Sequence, residues 1–292
     1  MITEEQARKI TSLLKEKYSS HKFLAKGEHN LNYLLNTKNK KYVLRIVNNN
    51  IYNNLKKEYN FLKKTEGGFG PKVYLYDDSK RILSKEYLVM EFLEGKHPKR
   101  LTNKLIEKIA KFYKELHQIK TKNKNFSLKK SIEGMKKDYE KNKKYLSSKK
   151  QEKVNEIIKE LNSLFEKNEK LFSERELVAV HEDPNFGNIF YDGKKVKFVD
   201  WEFAAFDVKE NDISMFLMYY KINKEKKDLF FKTLGYEYNG FNKKRLEIIN
   251  IRNYSLLLIW MVNKLAEAKD EKEVKKRNKQ INKQIKAIQK LL

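Results

Sequence analysis

The amino-acid sequence predicts an α+β fold, with a small antiparallel sheet in its first third and a mostly helical remainder. Residues 21–94 hold short runs rich in Val, Leu, Ile and Tyr that are separated by polar turns, which is the pattern of strands. After Gly95, apolar residues recur mainly at three- and four-residue intervals, as they do in helices. The exception is "VAVHEDPNFGNIFYDGKKVKFVDWEF" at residues 178–203, in which Asp192-Gly193 predicts a hairpin turn.

In the N-terminal third, the pattern predicts a first helix over residues 3–18, followed by a strand, a loop and a second strand. A turn at Asn36–Lys40 then leads into a strand at Lys41–Val47. The next helix carries Leu55, Tyr59 and Leu62 on one face and ends at Gly67, Gly68 and Gly70. Two further strands, "KVYLYDD" and "EYLVMEFLEG", complete this third of the chain.

In the helical remainder, "NKLIEKIAKFYKELHQI" repeats apolar residues at helical spacing, and a Lys/Glu-rich helical pair follows at about 127–172. Further helices are predicted over residues 210–235 and 243–290. Because the pattern changes at Glu94–Gly95, we expect a hinge there, with residues 1–94 forming one lobe and residues 95–292 the other.

The composition is that of a globular protein without disulfides. The 292 residues are 40% hydrophobic and 12% aromatic, and they include no cysteine, which excludes thiolate metal sites and a Cys nucleophile. The N-terminus has no signal-peptide core, and the apolar run at 254–262 is far shorter than the roughly 20 residues that a membrane span needs. We therefore expect a soluble, cytoplasmic protein without a transmembrane segment.

The net charge of +26 raises the alternative of a nucleic-acid-binding protein without catalysis. Lys and Arg total 65, of which 8 are Arg and 57 (65 − 8) are Lys. Proteins that bind bases and phosphates through bidentate contacts rely on Arg, and many of these lysines alternate with Glu on helical faces. Nucleic acid is therefore the less favoured partner.

The hairpin predicted around Asp192-Gly193, which we call the polar hairpin, contains or adjoins the candidate catalytic and metal-binding residues. If residues 189–191 and 196–199 pair as antiparallel strands, their open end brings Asn188 close to Asp200. An amide oxygen beside a carboxylate suits Mg²⁺, and Asp183 precedes the hairpin in a loop that can face the same point. Two metal ligands and one carboxylate near an acceptor hydroxyl are the parts that phosphoryl transfer needs.

The motif His181-x-Asp183-x-x-x-x-Asn188, followed after a short hairpin by Asp200, resembles the signature of the choline/ethanolamine kinase and aminoglycoside phosphotransferase superfamily, which is protein-kinase-like. The run "VDWEFAAFDVKENDISMF" is closest to choline kinases of the bacterial lipopolysaccharide-choline type. The resemblance implies a two-lobed kinase fold in which Asp183 is the catalytic base and Asn188 and Asp200 bind Mg²⁺. It also implies that His181 braces the loop and that Asp212 anchors the segment after Asp200.

The N-terminal lobe supplies predicted nucleotide contacts. Arg45 lies in the strand "KYVLRIVN" and Glu58 in the helix that follows, and the resemblance implies that they pair to hold the phosphates of ATP. The loop "AKGEHNLNYLL" contains only Gly27 of a glycine-rich pattern, and Asn30 is its candidate contact with ATP. The backbone of Glu91 to Leu93, at the predicted hinge, is the candidate for pairing with the adenine edge.

For the acceptor, the resemblance favours choline, whose quaternary ammonium must be held by carboxylates and aromatic faces. The candidate residues for this site are Glu202, Trp201, Tyr219, Tyr254 and Trp260. Each aromatic residue has core packing as its alternative role, since aromatic residues at helical spacing usually belong to a core. We therefore expect an ATP-dependent kinase of a small amino alcohol; ethanolamine, thiamine and aminoglycosides are the alternative acceptors.

Overall fold

The computed structural model describes residues 1–27, 29–48, 54–65, 68–122, 126–172 and 176–292. It confirms the predicted α+β class, since a five-stranded antiparallel sheet comes first along the chain and the remainder is mostly helical. The chain forms two compact units; the first contains Met1–Ile119, His181–Ala205 and Lys224–Leu234, and the second contains Lys120–Val180, Phe206–Asn223 and Gly235–Leu292. The predicted lobe boundary at Glu94–Gly95 stays a prediction.

The elements of the N-terminal third are α1 (Glu4–Leu13), β1 (Tyr18–Lys26), β2 (Asn30–Thr37), β3 (Lys41–Val47), α2 (Leu55–Lys64), β4 (Val73–Asp77) and β5 (Tyr87–Glu91). The strand order in the sheet is β1-β2-β3-β5-β4. The predicted bounds of β3 are confirmed, whereas α1 is shorter than the predicted helix because Lys15 adopts a left-handed conformation with φ of 58°. Gly67, one of the predicted helix-ending residues, lies outside the described residues.

The later elements are α3 (Asn103–Leu116), α4 (Leu128–Asn142), α5 (Ser148–Asn168), β6 (Val178–Val180), β7 (Ile189–Tyr191), β8 (Val196–Phe198), β9 (Ala205–Asp207), α6 (Glu210–Tyr220), α7 (Lys224–Leu234), α8 (Gly240–Ala266) and α9 (Glu271–Gln289). The predicted helical pair over 127–172 is α4 and α5, and the polar hairpin is β7 and β8. In the part of the chain that the structure describes, no helix has the length and apolar composition needed to cross a bilayer.

The sheet of the first unit is covered on both faces. On one face Ile10 of α1 packs with Leu35, Leu44 and Val89. On the other face, Leu55 of α2 packs with a second cluster that includes Leu88 and Met90 of β5. Since successive side chains of a strand point to opposite faces, β5 contributes to both clusters, and α2 is fixed against the sheet.

The second unit has its own helical core and two buried ion pairs. Arg252 Nη2 lies 2.7 Å from Asp207 Oδ2, and Arg245 Nη2 lies 2.9 Å from Glu210 Oε2. Each pair links a residue at or just before the start of α6 to the long helix α8. Removing one member would leave a buried charge without its partner, so these pairs fix how α6 packs on α8.

Candidate active site

The hairpin β7–β8 brings the two predicted metal ligands together. Its register pairs Ile189 with Phe198, and the Val199 N–H donates to the Asn188 carbonyl over 2.9 Å. Asn188 therefore lies opposite Val199, and Asp200 is the next residue along the chain. This is the juxtaposition that the Asp192-Gly193 turn predicted.

Asp200 adopts a left-handed backbone conformation, with φ of 67° and ψ of 62°. Such a conformation is unfavourable for a residue with a side chain and persists only where the surroundings impose it. Before it, His181 Nε2 lies 3.0 Å from the Val199 carbonyl, and after it the Trp201 N–H donates to Glu58 Oε1 over 3.3 Å. Contacts on both sides thus hold this carboxylate in place.

Trp201 is fully buried and anchors the hairpin. Its indole N–H donates to the Phe198 carbonyl over 2.8 Å, and its ring stacks on Phe61 with centroids 5.5 Å apart. The His181 ring meets it edge-on at 4.7 Å. Packing is therefore an observed role of Trp201, while its predicted contact with the acceptor stays a prediction.

The carboxylate of Asp183 is oriented by two amide groups. Asn188 Nδ2 donates to Asp183 Oδ2 over 2.7 Å, and Asn185 Nδ2 donates to the same oxygen over 2.9 Å. The Asp183 N–H donates to His181 Nδ1 over 3.3 Å. Because that ring nitrogen accepts, Nε2 carries the proton and donates to the Val199 carbonyl, so one neutral His181 ties the Asp183 loop to the residue before Asp200.

Arg45 is buried and contacts both Glu58 and Asp200. Its Nη1 lies 2.8 Å from each carboxylate oxygen of Glu58 and 3.0 Å from Asp200 Oδ1. Its Nε donates to Asn32 Oδ1 over 3.2 Å. The predicted pairing of Arg45 with Glu58 is thus present, and it extends to the predicted metal ligand Asp200.

Carboxylates outnumber cations here, which fits a divalent metal ion. Burial, together with the negative charges of Asp200 and Glu58, raises the pKa of Glu202 to about 8, and Asp183 adds to this effect. Arg45 opposes that rise but does not cancel it. The donor set of an amide oxygen and carboxylate oxygens is the one that Mg²⁺ prefers, and an additional positive charge would relieve the crowding.

Few protein side chains are available as ligands for such a metal ion. Among the described residues, no group of three or more His, Cys, Asp or Glu side chains is arranged to hold a metal ion. Mg²⁺ commonly takes one or two carboxylates from the protein and completes its shell with water and substrate phosphates. Asn188 and Asp200 fit a Mg²⁺ ion that is completed by water and substrate phosphates better than they fit one coordinated by protein side chains alone.

The remaining predicted nucleotide contacts lie around the sheet. Asn30 begins β2, where it pairs with Val47. The Glu91 N–H donates to the Lys72 carbonyl over 2.8 Å, and Glu91 Oε2 lies 3.3 Å from Lys197 Nζ. Leu93 is buried. The assignment of Asn30, Glu91 and Leu93 to ATP stays a prediction.

The other predicted acceptor and support residues belong to the second unit. Tyr219 is exposed on α6, and Tyr254 packs against the helical core. The ring of Trp260 is faced by Lys264 Nζ at 5.7 Å and by Arg277 Cζ at 5.8 Å. Asp212 is fully buried in the first turn of α6. Their roles at the acceptor site stay predictions.

Three residues that contact the site were not predicted to do so from the sequence: Asn32, Asn185 and Gly70. The turn at Asn36–Lys40 fixes the β2–β3 register and so places Asn32 opposite Arg45. Counting residues back from the predicted turn could therefore have identified Asn32. A Cβ on Gly70 would lie 2.5 Å from Trp201 Nε1, a close approach between parts of the chain far apart in sequence. Nothing local in the sequence signals that contact.

Comparisons with solved structures show the fold. A choline/ethanolamine kinase family protein from Mesorhizobium loti is 16% identical, with a TM-score of 0.72 over 100% of this chain and 95% of that one. Choline kinase LicA from Streptococcus pneumoniae is 18% identical, with a TM-score of 0.62 over 96% of each chain. An ADP-bound aminoglycoside phosphotransferase, APH(2'')-Ib, is 16% identical, with a TM-score of 0.62 over 97% of each chain.

No curated protein sequence matches the chain significantly. The model of the phosphotransferase enzyme family (APH), by contrast, matches residues 20–247, a range that contains Arg45, Glu58 and the whole polar hairpin. With the fold shared and most of its length matched, the chain belongs to the phosphotransferase enzyme family.

Proposed function

We propose that the protein transfers the γ-phosphoryl group of ATP to the hydroxyl of a small amino alcohol, with choline as the first candidate. The observation that carries this proposal is the convergence of Asp183, Asn188 and Asp200 with the Arg45–Glu58 pair. These side chains come from separate parts of the first unit, and they supply a base, metal ligands and a phosphate-binding cation.

The division of roles follows from the contacts. Asn188 and Asp200 would hold Mg²⁺, which when bound supplies positive charge to the phosphate oxygens. Arg45, fixed by Glu58 and Asn32, presents a guanidinium group whose pKa burial alone would lower; the charges of Glu58 and Asp200 outweigh burial and keep it protonated. Asp183, oriented by its two amide donors, takes the proton of the acceptor hydroxyl as that oxygen bonds to the phosphoryl group and ADP leaves.

ATP as the donor is supported by proteins of the same fold. APH(2'')-Ib holds ADP, and LicA has a structure in complex with AMP. Cytoplasmic ATP would serve this reaction, and the lack of cysteine is in keeping with that compartment.

Choline leads the candidate acceptors because the run around Asp200 resembles that of choline kinases, and Glu202, a buried acidic residue two positions after Asp200, is the candidate partner of its ammonium group. A carboxylate suits a quaternary ammonium, which cannot donate a hydrogen bond, and we propose Tyr219, Tyr254 and Trp260 as its aromatic contacts. Proteins of this fold also include an ethanolamine kinase and aminoglycoside phosphotransferases. Ethanolamine and aminoglycosides are therefore the competing candidate acceptors.

The test is ATP turnover by the purified chain with Mg²⁺ and separate choline, ethanolamine, thiamine and aminoglycoside acceptors. We expect phosphocholine as the main product. Asp183→Asn, which keeps the size of the side chain but removes the base, should lower kcat by at least about 100-fold while ATP still binds. Full activity in this variant would overturn the mechanism, and turnover of another acceptor but not of choline would overturn the choice of substrate.

A further inference from the structure

Helix α9 carries a stripe of exposed lysines that the proposed reaction does not use. Within this helix, or as its C-cap, the side chains of six lysines are exposed. They are Lys272, Lys276, Lys279, Lys283, Lys286 and Lys290, spaced alternately by four and three residues. At 3.6 residues per turn they fall within an arc of about 80° and form a nearly straight line about 27 Å long. We call this line the α9 lysine stripe.

The stripe lies on the outer face of its helix. The side chains that α9 buries, Ile281, Gln284, Ile285 and Ile288, lie on the opposite side of the helical wheel. Gln284 fixes this orientation, since its Nε2 donates to the Tyr254 carbonyl of α8 over 2.7 Å. Packing within the second unit therefore turns all six ammonium groups away from the core.

Apart from Lys272, which lies between Glu271 and Glu273, the lysines of the stripe have no acidic residue in their own part of the helix. Residues 274–292 contain seven Lys or Arg and no Asp or Glu. Among the described residues, none of the six stripe lysines forms an ion pair. By contrast, α5 alternates five Lys with four Glu, and the α4 segment pairs Lys141 with Asp138 and Lys143 with Glu140. A generally lysine-rich composition thus accounts for the lysines of α4 and α5, which lie among acidic residues, better than for the lysines of α9.

We propose that the α9 lysine stripe binds an anionic membrane surface. A straight row of point charges on a rigid helix matches a plane of acidic lipid headgroups, to which each lysine near the surface adds attraction. Leu291 and Leu292, which follow the stripe directly, are exposed apolar residues that can enter the headgroup layer.

Nucleic acid fits the stripe less well. Single-strand binders place aromatic side chains among the cations so that bases can stack on them, and the stripe contains none. Readers of bases and phosphates use the planar fork of Arg, whereas Arg277, the arginine of α9, is turned to the ring of Trp260.

The experiment is sedimentation of the full chain with vesicles of phosphatidylcholine, with and without phosphatidylserine. We expect binding only where phosphatidylserine is present, and we expect it to fall as salt is added. The triple change Lys276→Gln, Lys279→Gln and Lys283→Gln should weaken binding by at least about tenfold, since each lysine near an acidic surface contributes separately. Kinase activity in solution should not change.

The matched control removes the same charge elsewhere. Lys137, Lys149 and Lys159 are exposed on α4 and α5, and their triple change to Gln lowers the net charge by the same amount. We expect this control to keep nearly all of the vesicle binding. An equal loss in both variants would mean that net charge alone drives binding and would overturn the proposal, as would tighter binding to single-stranded RNA than to phosphatidylserine vesicles.

Discussion

At the scale of single residues, the arrangement around Asp183 and Asp200 depends on how the neighbouring side chains hold these two carboxylates. Asn185 and Asn188 donate to one oxygen of Asp183, while Arg45 lies between Glu58 and Asp200. Positioned groups of this kind lower a barrier by fixing orientation before the reaction begins.

Asn185 is predicted to position the base. Asn185→Asp replaces the donated hydrogen bond by repulsion between two carboxylates, and it should reduce kcat by about tenfold or more with little change in KM for ATP. Asn185→His restores a nitrogen donor and should recover part of the loss. Steady-state kinetics at fixed pH measure both, and a thermal melt checks that the variants are folded. A change in KM alone would show that Asn185 does not act through Asp183.

Glu202 is predicted to make the metal-free protein less stable as pH rises. Its pKa is raised to about 8, above the 4.5 of an exposed Glu, so the folded state binds more protons than the unfolded chain between these values. The contribution of Glu202 to the free energy of unfolding is therefore fully present below pH 4.5 and is lost as pH rises through 8.

Glu202→Gln removes this loss. In the presence of a chelator, the variant should exceed the natural chain by about 1–2 kcal/mol in free energy of unfolding at pH 8, and the difference should shrink toward pH 5. Urea titrations at the two pH values measure it. A difference that grows toward acid would mean that the pKa of Glu202 is lowered instead.

At the scale of elements, the β7–β8 hairpin is joined to the segment that follows α2. The Phe198 N–H donates to the Phe69 carbonyl over 3.0 Å, and Gly70 lies against the Trp201 indole. Glu58 of α2 accepts from the Trp201 N–H, so the residue that pairs with Arg45 also holds the residue after Asp200. The position of the hairpin therefore depends on a close approach at Gly70.

Gly70→Ala tests this approach. The new Cβ would lie 2.5 Å from Trp201 Nε1, 2.8 Å from Leu62 Cδ2 and 3.1 Å from the Phe198 carbonyl oxygen. We expect a loss of about 1–3 kcal/mol in stability and a fall in kcat, because the indole and the hairpin must shift.

Gly134→Ala is the matched control for that change. Gly134 lies in α4 with open space around it, and alanine there should stabilise the chain by about 0.5–1 kcal/mol. Chemical denaturation of both variants gives the comparison. Equal stability of the two variants would mean that the chain accommodates the Cβ at Gly70.

At the scale of the whole molecule, the net charge of +26 sets a repulsion that no single contact removes. Most ion pairs of the described residues on the surface join neighbours on one helix, and exposed pairs of this kind contribute little. The repulsion among lysines should therefore decide how salt affects stability.

We predict that Tm rises by a few degrees when NaCl is increased from low concentration to about 0.15 M, where charges more than about 8 Å apart are largely screened. Circular dichroism melts measure this rise. The Lys276, Lys279 and Lys283 triple variant, which carries less charge, should show a smaller one. A Tm that falls with salt would mean that attractive ion pairs outweigh the repulsion.

The sequence by itself determined what depends on local spacing. Alternating and helical periodicity gave the α+β class and the bounds of β3, and the Asp192-Gly193 turn brought Asn188 beside Asp200 because a hairpin fixes its own register. The motif around His181 pointed to the phosphotransferase family, which the family model confirms over residues 20–247.

Only the tertiary structure decided what depends on contacts between distant segments. The bond from Arg45 to Asp200 joins residues 155 positions apart, and the burial of Trp201 against Phe61 and Gly70 also joins segments that are far apart in sequence. No local pattern encodes such distances, because they arise when separately formed elements pack together. For the same reason, the sequence places six lysines on one face of the predicted helix, but only the packing of α9 on α8 showed that this face is the outer one.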